Sequence, residues 1–460
     1  DGEEEEEEEE DVEEIEGIED VVGEEEEEEV EGEEEEVEEE EEEEEEDDDD
    51  DDDILADPSF DLDFTLDEDI EQITEPTFCM SLSELLDEAR VVPILVNGDQ
   101  DVEITGIQYD SRQVTPGNMF VFCPGLSRDV QFTLAEASEK GAVVIVANIE
   151  VSVQESVKAV VVVDDTLSIL SSLSASFYGN PSRKMSVVGI GGSDGKTTTS
   201  FLLKSMYEAM ERKTGLLGSI SNYIHGKKKL ETLDMSLDSV SLQKLMATMV
   251  HNGTDVCVME VSADNSCKEL DFDIAVFTNL TINDSDSGNL HEIVKNSVSQ
   301  LFAKMTDPES HAKVVNIDDK NADSFIAQGN PDVPIITYSM ENREADVFTL
   351  ELQLSLFETD MLIHTPRGNV EISSGLLGRD NVYSILAAVA VGIAINAPLE
   401  AIVEGIEEVD AVPGRCELID EEQDFAVIVD HARSPDGLSR LLDTVRECGA
   451  RRLITGNVCF

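Results

Sequence analysis

The chain has 460 residues, with 107 Asp and Glu against 29 Lys and Arg, for a formal net charge of −78. That length allows two or three domains, each with its own core. No run approaches the roughly 18 consecutive apolar residues that a membrane helix needs. Seven scattered cysteines with no C-x-x-C pair argue against a zinc site or a disulfide framework and fit a reducing compartment.

The charge is concentrated at the start: residues 1–53 hold 42 Asp and Glu and no Lys or Arg. A run this dense cannot collapse, so a solvated, disordered arm is expected. It has three open readings: a solubilising tail, a segment that repels nucleic acid, and a mimic of nucleic acid toward a basic partner. Direct nucleic-acid contact by the arm is disfavoured, because phosphate binding needs Lys and Arg. The chain begins at Asp1, not Met, so a processed or partial product is expected, and no signal or transit peptide is recognisable.

A polar linker follows to about residue 76, making 1–76 one non-core segment. At "SLSELLDEA", Ser81 precedes Leu82, Leu85 and Leu86, which share one helical face. Short β-rich runs, "NMFVFC" and "AVVIVAN", alternate with helix-like stretches, and Pro116-Gly117 supplies a turn. A small α/β domain over 77–184 is expected.

A second domain, 185–410, opens with the apolar strand "MSVVGI", then the glycine turn, then the helix "TTTSFLLKSMYEAM". "DVCVMEV", "IAVFTNL" and "AKVVNID" supply further buried strands, and "VYSILAAVAVGIAI" a helix, so a mostly parallel sheet covered on both faces is expected. From 411 to 460, strand "FAVIVD", helix "DGLSRLLDTVREC" and strand "RRLIT" predict one β-α-β unit, read as the start of an incomplete domain.

The glycine turn carries the chemistry. A strand that enters such a turn and leaves as a helix aims backbone N–H groups and the positive helix end at one point, a phosphate site. Gly192, Asp194 and Gly195 form the turn, Lys196 reaches the phosphates, Thr197 is a candidate Mg²⁺ ligand, and Thr198 follows in the first helical turn. The alternative is a glycine turn that only packs within a sheet. The spacing is G-x-x-G-x-x-G-K-T, with Gly189 one residue earlier than the first glycine of the common loop.

That variant, together with "DSRQVTPGNMFVFCPG", "VMEVS", "VFTNLT", "VNIDD", "GLLGRDNVYSILAA", "VPGRCE" and "VDHARSPD" in this order, resembles the Mur ligases, which join an amino acid to a nucleotide-linked peptide using ATP. The resemblance covers about residues 80–455 and is to the MurE type, with the texture of plant plastid MurE-like proteins. It implies an α/β fold: a small N-terminal domain for the uridine nucleotide, a central P-loop parallel-sheet ATPase domain, and the start of a truncated C-terminal Rossmann-like domain. It also implies ATP and Mg²⁺ as cofactors, one ion on Thr197 and Glu260. Asn279 and Asn381 fall in its nucleotide region, Arg415 is assigned to the nucleotide from the inter-domain region, where a surface charged pair with Glu417 is the alternative, and Asp110, Ser111, Arg112 and Ser262 fall in its substrate regions. Asn279 and Asn381 have a second reading, as a strand end and a helix cap.

The second ion of the family needs a carbamylated Lys and a His. Counted without gaps, the Lys position is Val298 and the His position is Asp284, and valine cannot carry a carbamate. Lys295 lies one helical turn from Val298. Asp284 and Asp286 are oxygen donors of the kind Mg²⁺ prefers, in a run that also fits a solvated face. The subgroup resemblance therefore implies a chloroplast protein of the stroma or nucleoid. Its expected role is a non-catalytic partner of the plastid RNA polymerase assembly, with no membrane association. The alternatives are an active peptidoglycan-type ligase in a longer form of the chain, and an ATP-binding switch without turnover.

Overall fold

The apolar spacing at 82, 85 and 86 gives a helix, Leu82–Glu88, whose three leucines are buried and whose Ser81 side chain accepts from the Glu84 N–H. It leads into a five-stranded sheet ordered Leu95–Gly98, Ala159–Val162, Val144–Ala147, Asn118–Val121, Gly106–Gln108. The last four strands run parallel and Leu95–Gly98 is antiparallel at the edge. The computed structural model describes residues 73–124, 130–226, 229–230, 238–261, 267–281, 289–419, 423, 425–432 and 435–456. The acidic arm, Ser262, Asp284 and Asp286 lie outside them. Among the described residues no helix is long and apolar enough to cross a membrane.

The larger sheet has eleven strands. Its parallel body runs Thr214–Leu217, Val256–Glu260, Ser186–Gly191, Ile274–Phe277, Ala312–Asn316, Ile335–Ser339, Val347–Leu354. The central strands are buried on both sides, as their near-continuous apolar sequences require. One face is covered by the helices Lys196–Ala209, Arg379–Ala394 and Leu399–Glu407, and the other by Ser239–His251 and Asn289–Ala303.

The sheet is mostly parallel, as expected, and antiparallel strands extend both of its ends. Thr359–His364 and Val370–Ser374 extend one end, Asn222–Tyr223 and Lys229–Leu230 the other. The alternating pattern of "VFTLELQL" marks a half-buried strand of this kind.

The Ser239–His251 helix is capped by Asp238, which accepts from the N–H groups of Val240 and Ser241. Val240 and Ala247 on this helix belong to the apolar core of the N-terminal sheet, so the two sheets share it. Tyr109 of the N-terminal part lies close to the Asp238 carboxylate, and burial, with that charge beside it, pushes its hydroxyl up to about 12.

One sequence expectation is corrected. "RRLIT" is not a strand, whereas the helix Pro435–Glu447 and the strand Val427–Val429 form. Val427–Val429 pairs antiparallel with Glu417–Ile419, so no described strand lies beside 451–455 to complete a ladder.

Candidate phosphate and metal site

The Ser186–Gly191 strand occupies the point where the strand order reverses. The chain leaves it for Thr214–Leu217 and Val256–Glu260 on one side, then crosses to Ile274–Phe277 on the other. In open α/β sheets the crevice beyond the strand ends at such a point is where ligands sit. Three segments converge here: the loop 192–195, Glu260, and Thr278–Thr281.

Gly189 lies inside the strand. A Cβ there would meet Leu301 and Phe272 at 2.8 Å, so its smallness serves core packing and the turn begins at Gly192. Gly192 has φ +140°, and a Cβ would stand 2.1 Å from the Thr278 hydroxyl. Any larger residue would push the loop off its neighbouring strand end.

The turn is braced from behind by Asn279. Its carbonyl accepts from the Ser193 N–H at 2.9 Å, and its side-chain oxygen accepts from the Asp194 N–H at 3.0 Å. Gly195 then caps the Lys196–Ala209 helix with no side-chain hydrogen bond. The first-turn N–H groups of a helix have no intrahelical partner, so this end presents donors and the positive pole of the dipole.

Lys196 folds over the loop and donates to the carbonyls of Gly192 at 2.8 Å and Ser193 at 2.9 Å. Burial lowers its pKa from the ordinary lysine value; Glu260 and Asp194 oppose that shift and Arg415 adds to it. Thr197 and Thr198 are both buried.

Thr197 and Glu260 meet at a residue the sequence did not single out, Ser219. Its hydroxyl lies 3.2 Å from the Thr197 hydroxyl and donates to Glu260 Oε1 at 3.2 Å, while its N–H donates to the same oxygen at 2.9 Å. Arg415 reaches the same place, donating to Thr197 Oγ1 at 3.4 Å, and its Nε is buried with no hydrogen-bond partner among the described residues. A hydroxyl and a carboxylate around one small polar space form a donor set of the hard-oxygen type that suits Mg²⁺.

The opposite flank is apolar. Val298 on the Asn289–Ala303 helix is 1% exposed, and a Cβ at Gly191 would meet its Cγ2 at 3.0 Å. Lys295 is on the same helix, half-buried.

Asn381 is buried and donates to the Leu377 carbonyl at 2.8 Å, tying down the start of the Arg379–Ala394 helix. Asp194 accepts from Thr281 at 2.9 Å and pairs with Arg440 at 3.0 Å. Arg440 is on the Pro435–Glu447 helix, which thereby touches the loop from 246 residues away. Asp110, Ser111 and Arg112 lie apart, in the N-terminal portion. Asp110 pairs with Arg112 at 2.8 Å, which holds its carboxyl below the usual range, and Ser111 donates to Glu136 at 2.5 Å.

A strand, glycine turn and uncapped helix at the switch point of a parallel sheet define a P-loop α/β protein. Residues 190–392 match the Mur ligase middle domain. The chain is 57% identical over 404 residues to the chloroplastic MurE homolog of Arabidopsis thaliana, across 86% of this chain and 52% of that protein. It is 36% identical over 375 residues to the UDP-N-acetylmuramoyl-L-alanyl-D-glutamate--2,6-diaminopimelate ligase of Bacillus licheniformis, across 80% of this chain and 75% of that protein. A solved structure of a ligase of the same name matches with TM-score 0.66 at 22% identity, covering 81% of this chain and 75% of that one. The chain belongs to the Mur ligase family, in its MurE-type branch. It spans about half the length of the plant relatives it matches.

Proposed function

We propose that this chain keeps the Mur ligase nucleotide site for binding, no longer carries out ligation, and serves as a non-catalytic scaffold of the plastid-encoded RNA polymerase assembly in the chloroplast. The observation that carries the first part is Val298, buried against Gly191 on the flank where the family resemblance calls for a metal-bridging lysine. The plastid part rests on the resemblance and on relatives named as chloroplastic.

ATP would be held by the N–H groups of the Gly195–Thr198 helix end and by Lys196, with Arg415 alongside. One Mg²⁺ would be held by Thr197 and Glu260. When bound, the nucleotide and its ion would supply an activated phosphoryl group. The chain's own residues orient the phosphates, neutralise their charge and, through Asn279, keep the loop in shape. Ligation also needs charge stabilisation on the second side, and one lost electrostatic donor of this kind costs about 3–4 kcal/mol of transition-state stabilisation.

Two measurements test this reading. Native sizing of the endogenous protein from gently lysed plastids should place it in a very large particle with RNA polymerase subunits; a free monomer would remove the scaffold reading. ATP-dependent joining of an amino acid to a UDP-muramoyl dipeptide by the full-length protein should be absent, and an ordinary enzyme rate would overturn the non-catalytic reading.

A second reading, a nucleotide-dependent switch, is favoured by the contacts Arg440–Asp194 and Arg415–Thr197, which join the C-terminal helix and its approach to the loop. Under it, adding ATP shifts the position of that helix and changes partner binding, both of which are lost in Lys196→Ala. The active-ligase alternative predicts a large gain of activity when Lys is placed at 298 and His at 284; the non-catalytic reading predicts none.

A further inference from the structure

Far from the phosphate loop in the strand order, the eleven-stranded sheet ends at Val370–Ser374, and the Leu399–Glu407 helix runs beside that edge. Between them lies a groove of about 680 Å³. Its floor is apolar: Val370 is buried, and Leu399 and Val403 are half-buried. Its rim carries exposed carboxylates, Glu400, Glu404 and Glu408, at successive helical turns.

Glu407 is already occupied, accepting from the Ser373 N–H of the edge strand at 2.9 Å. Among the described residues, Glu400, Glu404 and Glu408 have no ion-pair partner. The nearby Arg367 is held by the Ala397 carbonyl. Like charges at i, i+4 destabilise an isolated helix by about 0.2–0.5 kcal/mol per pair. An unneutralised row of them along an apolar trough is a surface whose field and shape ask for the same complement.

We propose that this groove docks a lysine- and arginine-rich amphipathic segment of another protein, its basic residues in an i, i+4, i+8 row against the three glutamates and its apolar residues on Leu399, Val403 and Val370. Charge excludes the other occupants. The chain's own first 53 residues, with 42 carboxylates, are repelled from it, and so is a second copy offering the same acidic face. Nucleic acid and anionic lipid are repelled too. A groove between a helix and a sheet edge, apolar below and charged above, matches the helix-in-groove mode of recognition. The inference stands whether or not the nucleotide site turns over.

The test uses the full chain and a synthetic amphipathic peptide with lysines at i, i+4 and i+8 flanked by leucines, one leucine replaced by a photo-crosslinking residue. The acidic arm will attract any cationic peptide, so the site of cross-linking decides, with a scrambled peptide of the same composition as control. The ordered peptide should cross-link within 369–370 and 399–408. The Glu400→Lys/Glu404→Lys/Glu408→Lys variant should weaken that capture about tenfold or more, three partly exposed pairs being lost and reversed. Val403→Gln, which keeps the charges, should weaken it as well, and matching thermal transitions confirm that both variants fold. Cross-links confined to residues 1–53, equal capture of the scrambled peptide in the groove, or unchanged capture by the reversed variant would each overturn the proposal.

Discussion

On one side of the Gly192–Gly195 loop, Thr197 and Glu260 converge on the Ser219 hydroxyl, each at 3.2 Å; on the other, Val298 fills the space against Gly191. The polar flank is held by hydrogen bonds that need every member present. The apolar flank is held by packing, which asks only for a side chain of suitable volume. Replacing a buried charge by a well-packed apolar residue is often neutral or stabilising, provided that the charge's partners go with it. Under the proposed function the two flanks separate binding from chemistry: phosphate contact would rest on the loop, Lys196 and the helix end, and the metal-bridging charge would be the part missing at position 298.

The largest effect should come from placing a charge at position 298. Val298→Lys places an ammonium in a space built for a valine, and an uncompensated buried charge costs about 3–5 kcal/mol. Urea denaturation should show a loss of that size. Unchanged stability would mean that the second flank still accommodates a charge, and the contrast between the flanks would collapse.

Lys196→Met comes next and acts on binding. Removing a charge-assisted hydrogen bond to phosphate should weaken ATP binding by about 1.5–3 kcal/mol, roughly ten- to hundredfold, measured by calorimetry at fixed Mg²⁺. Stability should respond differently. Burial depresses the folded pKa of Lys196, so its favourable contribution is present above the unfolded lysine value and lost as pH falls through the folded value. Lys196→Met should therefore lose the rise in stability that the parent protein shows as pH climbs toward the unfolded lysine value.

The parts of this site visible in the sequence are the local ones. Gly192, Gly195, Lys196 and Thr197 announce a phosphate loop because strand, turn and helix are consecutive, and Leu82, Leu85 and Leu86 announce a helix face for the same reason. The contacts of Ser219, Thr281 and Arg440 left no trace, because each is made with a partner far away in the chain: Glu260 is 41 residues from Ser219, and Asp194 is 87 from Thr281 and 246 from Arg440. Gly189 shows the converse: it belongs to the loop's glycine spacing but not to the turn. A glycine beside a glycine turn invites assignment to it, yet this one is small because Leu301 and Phe272 press on its strand. "RRLIT" has strand composition, but a strand exists only with a neighbour, and Val427–Val429 pairs elsewhere.

Ser219→Ala sharpens the comparison on the polar side. It removes the hydroxyl between Thr197 and Glu260 but leaves the Ser219 N–H bond to the carboxylate, so a net loss of about 0.5–1.5 kcal/mol is expected. The loss should appear in Mg²⁺-dependent nucleotide affinity more than in the melting of the protein alone. An equal loss without Mg²⁺ would show that the hydroxyl shapes the loop and not the ion's surroundings.

The smallest effect is expected at Arg440. Its pair with Asp194 spans 246 residues, but the side chains are 39% and 41% exposed, and pairs of that kind are worth about 0.2–1 kcal/mol. Arg440→Ala should therefore barely move the melting temperature. Its consequence should be local: the Pro435–Glu447 helix keeps its ion pair from Arg379 to Glu447 at 2.9 Å and loses the pair with Asp194 in the loop. Amide exchange along that helix should then rise, and rise less when ATP is present if Arg415 on Thr197 still reports the nucleotide. Asp194→Asn removes the same ion pair from the loop side and also weakens the acceptor of the Thr281 hydroxyl, so exchange should rise at 192–195 as well as along the helix. A rise confined to the helix would show that the Thr281 bond adds nothing to the loop.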